Sequence, residues 1–125
     1  MDNIPTKKEC KEHECKIDKK NIGIIYKPEK KFNVKMCDCI IKCKKNNKFI
    51  IVEILCGTLT LKEFKNKLNQ IKNCEKILSK NNIKAPKYLI YKKTEKRDGE
   101  LINKLLLKEK NLQLKTYTNQ AIKIC

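Results

Sequence analysis

Two carboxylates stand in surroundings that give them no apolar reason to be there. Asp38 heads the run Cys39-Ile40-Ile41, and Glu53 lies inside Phe49-Ile50-Ile51-Val52-Glu53-Ile54-Leu55. A carboxylate in so apolar a run is expensive to bury unless it is paired or bound to metal. If the two runs form a hairpin turning near Asn46 and Asn47, both carboxylates lie far from the turn on neighbouring strands and face one cation together. Two carboxylates with a backbone carbonyl and water suit Mg²⁺ or Mn²⁺, which take hard oxygen ligands. The other reading is a Glu53 held by a lysine of the core, and spacing alone leaves both open.

Cysteine is the second chemistry-bearing residue type, with eight in the chain: Cys10, Cys15, Cys37, Cys39, Cys43, Cys56, Cys74 and Cys125. Structural zinc would want paired C-x-x-C spacing, whereas these run Cys10-x4-Cys15 and Cys37-x-Cys39-x3-Cys43, with His13 the only histidine. Cys39 and Cys43 share strand parity with Ile41 and are expected to act as small buried hydrophobes. Disulfides are the alternative, because intracellular proteins of hyperthermophiles escape the reducing-cytosol rule. Free thiols and bridges both remain open.

The elements that must position these groups follow from pattern. Residues 6–20 are polar and rich in helix formers after Pro5, which predicts a helix with little apolar face. Residues 21–27 read as a strand ended by Pro28, and 35–43 and 48–56 as two strands joined by a turn over 44–47. A helix over about 60–79 has the best period in the chain, with Leu61, Phe64, Leu68, Ile71 and Leu78 on one side and Thr60 and Glu63 at capping-box spacing. A strand over 88–93, a helix over 98–110 starting at Asp98, a strand over 112–118 and a short element at 120–125 complete the order. Strand-helix-strand crossovers of this kind belong to an α/β fold in layers, here a single domain.

The net charge of +17, from 31 Lys and Arg against 14 Asp and Glu, is spread along the 125 residues rather than gathered in a tail. A folded domain with that field attracts polyanions, nucleic acid first among them. Only one of those cations is an arginine, Arg97, so phosphate contacts should dominate over base recognition. No apolar run reaches the length of a membrane span and the N-terminus lacks a signal-peptide pattern, which together predict a cytoplasmic protein without a membrane partner.

Asp38, an apolar strand, a short turn, then Val52-Glu53-Ile54-Leu55 followed by Gly57 and an amphipathic helix resembles the core of the PD-(D/E)XK nuclease-like superfamily. The resemblance covers roughly residues 5–117. It implies a three-layer restriction-endonuclease-like core, a central mixed sheet flanked by helices, that cleaves DNA with one or two divalent ions. Carried over, Asp38 and Glu53 are metal ligands with the Ile54 carbonyl beside them, and one of Glu9, Glu12 or Glu14 matches the family's upstream glutamate. The chain departs from the pattern at Leu55, which occupies the position of the motif lysine.

Leucine neither holds a water nor stabilises developing negative charge. Two residues offer a replacement cation. Lys67 lies with Glu63, Gln70 and Cys74 on a stripe bordering the helix's apolar face, where Gln70 resembles the family's helix glutamine and Cys74 stands in place of a tyrosine. The plainer role for Lys67 is a helix pair with Glu63. Lys42, on the strand face of Asp38, is the second surrogate. The expected function is therefore a nuclease-like protein that binds nucleic acid, DNA before RNA, through Lys42, Lys62, Lys65 and Lys67 without hydrolysing it. The alternatives are an active Mg²⁺- or Mn²⁺-dependent nuclease using Asp38, Glu53, Lys67 and Gln70, and an interaction module with no nucleic-acid role. The oligomeric state, a homodimer included, stays open.

Overall fold

The computed structural model describes residues 4–7, 17–28, 33–117 and 121–125. In chain order they form β1 (Ile22–Tyr26), β2 (Cys39–Cys43), β3 (Phe49–Ile54), β4 (Thr58–Leu59), α1 (Leu61–Lys80), β5 (Lys87–Tyr91), β6 (Lys93–Thr94), α2 (Gly99–Leu106) and β7 (Leu112–Thr116). Five strands make one mixed sheet in the order β1-β2-β3-β5-β7, and β4 and β6 form a separate parallel pair. β1–β2 and β2–β3 pair antiparallel, the second pair joined by a tight turn in which Asn47 takes a positive φ of 54°. β3, β5 and β7 are parallel, because helices carry the chain back between them.

Residue parity sorts the apolar side chains. Ile51 and Ile40 face α1 and pack with Phe64, Ile71 and Leu78 of that helix, while Ile50, Val52, Ile54, Ile41 and Ile90 fill the opposite face. That second face is covered partly by Ile17, Tyr117, Ile122 and Ile124. Burial on both faces explains why β3 reads as a nearly unbroken apolar run.

The α1 expectation holds in detail. Thr60 is its N-cap, and the hydroxyl accepts from the Glu63 amide at 3.1 Å. At the far end Asn82 takes a left-handed φ of 57° and the Ile83 amide closes back on the Leu78 carbonyl. Asp98 does something its sequence position does not suggest. Instead of capping α2, its carboxylate accepts from the Leu61 amide at 2.8 Å, at the electropositive start of α1. Asp98→Ala is expected to lower stability by about 1 kcal/mol, the usual worth of a helix cap, read as a shift in urea midpoint. An unchanged midpoint would show that Thr60 alone suffices.

Three expectations need correction. No helix forms at either described end of residues 6–20. Thr6 is bridged to Tyr26 and the Lys7 amide donates to the Ile25 carbonyl, so Thr6 and Lys7 extend the sheet at the β1 edge. Ile17 is bridged to Ile122, and residues 8–16, with Cys10, Glu9, Glu12, His13, Glu14 and Cys15, lie outside the described residues. Secondly, α2 ends at Leu106 rather than 110, and the left-handed Asn111 starts β7.

The third correction concerns the cysteines and the compartment. Cys37 is bonded to Cys74 and Cys43 to Cys125, Cys39 and Cys56 are disulfide-bonded as well, and no described cysteine is free. Cys39 and Cys43 are buried as expected, but as bridge partners rather than as free hydrophobes. Bridges between distant segments persist in an oxidising, extracellular or secreted setting, which overturns the cytoplasmic expectation. None of the described helices is long and apolar enough to cross a membrane.

Candidate functional site

Antiparallel pairing places the two carboxylates. β2 and β3 pair Ile41 with Ile50, Ile40 with Ile51 and Cys39 with Val52. One step further brings Asp38 alongside Glu53, at the end of the hairpin away from the turn and on the face that α1 covers. The main chain there is tightly held, since Asp38 Oδ2 accepts from the Ile54 amide at 2.6 Å. The position lies at the carboxyl end of β3, where strands of an α/β sheet deliver functional groups.

Glu53 is wholly buried, and α1 supplies two of its partners. Lys67 Nζ lies 3.5 Å from Glu53 Oε1, with side-chain exposures of 16% and 0% for the lysine and the glutamate. The Gln70 carboxamide, in the orientation that satisfies its neighbours, donates to Glu53 Oε2 at 3.1 Å and to the Met36 carbonyl at 3.3 Å. The stripe of α1 read from sequence thus reaches the strand carboxylate, and Lys67 meets Glu53. Lys42 stays away. It pairs across the hairpin with Phe49, its ammonium 5.6 Å from the ring centre, and four residues of extended strand carry it about 13 Å from Asp38. Leu55 packs against the core under α1, and Lys62 and Lys65 lie on the helix's exposed face.

What the sequence did not reveal is how firmly the segment before β2 is tied to α1. The Cys37–Cys74 bridge joins the residue beside Asp38 to the last member of the Lys67 stripe. Asn73 Nδ2 donates to the Lys35 carbonyl at 2.8 Å, one turn from Gln70 and its bond to Met36. Segment 35–38 is therefore strapped across the helix over the Glu53 pocket. The only prior signal was that Cys74 shares the stripe of Lys67 and Gln70. Further along α1, Glu75 holds the buried Lys87 of β5 at 3.0 Å, a second cross-link between helix and sheet.

The donor set of Asp38, Glu53 and the Ile54 carbonyl is chemically suited to Mg²⁺ or Mn²⁺, and in this structure both carboxylates are engaged by protein groups. The Lys67 ammonium already sits at Oε1, Gln70 takes Oε2, Glu53 has no exposure, and Asp38 is turned onto the main chain. Among the described residues no group of three metal-ligating side chains gathers. Nor are the thiols of Cys37 and Cys43 present to bind zinc, since both are bridged. Beside the pair opens a polar cleft of about 340 Å³, lined by Lys35 and by residues 63–73 of α1. No protein-family model, curated protein or solved structure matches this chain.

Proposed function

We propose that the chain is a nucleic-acid-binding protein built on a reduced PD-(D/E)XK, restriction-endonuclease-like core, and that it does not hydrolyse what it binds. The observation that carries this reading is the occupant of the Glu53 carboxylate. An ammonium stands 3.5 Å from this fully buried carboxylate, where a hydrolytic site would need a divalent ion and a water. The packed leucine at position 55 agrees, because no cation next to Glu53 on its own strand is left to orient a nucleophile. Support for the core comes from the antiparallel β1-β2-β3 unit, the parallel β5 and β7 beyond it, and the register that sets Asp38 by Glu53.

Binding rests on charge. The +17 is distributed over the fold, and Lys62, Lys65, Lys76 and Lys80 project from the exposed side of α1. Lysines of this kind meet phosphates as point charges and release counterions. Affinity for a DNA duplex or single strand should fall about a thousandfold between roughly 50 and 200 mM salt, as for about six phosphate contacts, and should be unaffected by chelator. Supercoiled and branched DNA should stay intact with either Mg²⁺ or Mn²⁺. Absence of binding at about 50 mM salt, where counterion release is strong, would leave only an interaction module. Metal-dependent nicking that disappears in Glu53→Ala would instead establish an active nuclease with Lys67 in place of the motif lysine.

A further inference from the structure

The cleft beside Lys67 is lined by all four carboxamides of α1. Asn66, Asn69, Gln70 and Asn73 fall at i, i+3, i+4 and i+7, on one side of the helix. Asparagine is among the weaker helix formers, so three of them within eight residues do not serve the helix itself. Gln70 and Asn73 are accounted for by Glu53, Met36 and Lys35. Asn66 and Asn69 are exposed, and their side chains make no hydrogen bond among the described residues.

A carboxamide offers one acceptor and one donor side by side. That pair complements a base edge such as adenine N6 and N7, while a neighbouring ammonium suits a phosphate. We propose, resting on the nucleic-acid reading above, that this cleft seats one unpaired nucleotide of the bound strand. The base edge lies on Asn66 and Asn69, and the phosphate lies by Lys35. About 340 Å³ is at the small end of ligand sites and admits one nucleotide, not a duplex. Paired bases are excluded for a second reason, because side chains on a concave wall do not reach the floor of a groove.

The test compares a dA 12-mer with an abasic 12-mer of equal charge, by fluorescence anisotropy at one salt concentration. The native chain should bind the dA oligomer about tenfold more tightly, as for a bidentate base contact, and the abasic one through phosphates alone. Asn66→Ala/Asn69→Ala should bind both as the native chain binds the abasic strand. Alanine favours the helix, so circular dichroism should show the fold kept. Equal affinities of the native chain for the two oligomers overturn the inference and leave nucleic-acid binding standing. So does a base preference that survives in the double variant. No binding of either oligomer overturns the inference, and if a DNA duplex at the same salt concentration also fails to bind, the reading beneath it falls too.

Discussion

Lys67→Met is expected to lower the unfolding free energy by about 3 kcal/mol or more, because it strips the cation from a fully buried carboxylate. The asymmetry of the pair makes the prediction sharp. Glu53 is fully enclosed whereas Lys67 keeps 16% of its side-chain surface. Removing the lysine therefore leaves a buried charge without the ammonium that faces Oε1. Removing the charge of Glu53 leaves an ammonium on a flexible stem that swings outward into solvent. Glu53→Gln should accordingly cost about 1 kcal/mol, the scale of one altered hydrogen bond.

The double variant Glu53→Gln/Lys67→Met should be more stable than Lys67→Met alone, since no buried charge then remains. Urea unfolding of the four proteins closes the cycle, and a coupling of about 1 kcal/mol or more is expected for groups in contact. Losses that simply add would mean that the helix lysine and the strand carboxylate do not interact. The same variants bear on function. Lys67→Met should bind nucleic acid nearly as well as the native chain, because an ammonium held on Glu53 is not the one that meets a phosphate.

Local patterns were the legible part of the fold. Phe64, Ile71 and Leu78 recur at the helical period, Thr60 precedes them as a cap, and Asn46 and Asn47 mark the hairpin, so α1, β2 and β3 follow from neighbouring residues alone. Lys67 was legible as a cation on the core border of α1, with Glu63 and the Glu53 site as its alternative partners. Glu63 lies one turn away on the same helix, whereas Glu53 becomes available only when the helix crosses β3. Thr6 and Lys7 misled for the opposite reason: they were expected to open a helix, but the edge of β1 offered them backbone partners, and tertiary pairing prevailed over propensity at these two residues. The Cys37–Cys74 bridge has no local signature either, since it depends on the segment before β2 passing over α1.

Those bridges supply the other large effect. Cys37→Ala/Cys74→Ala should cost about 4 kcal/mol and Cys43→Ala/Cys125→Ala about 4.5 kcal/mol, from the loop entropy each bridge removes from the unfolded chain. The order follows from sequence separations of 37 and 82 residues. Each variant removes both partners, so no stray thiol remains to re-pair. The structural consequences should differ as well. Without Cys43–Cys125, the end of the chain loses its covalent hold, and Ile122 and Ile124 should loosen from the second face of the sheet. Without Cys37–Cys74, segment 35–38 loses its covalent tie to α1 and keeps the Asn73 and Gln70 hydrogen bonds, and amide exchange should quicken around Asp38. Urea unfolding of the native chain with and without a thiol reductant measures the bridges together, and the reduced chain should unfold at a much lower urea concentration. Equal midpoints would mean that the folded chain holds together without its bridges. The thermodynamic reason for placing it in an oxidising compartment would then be gone.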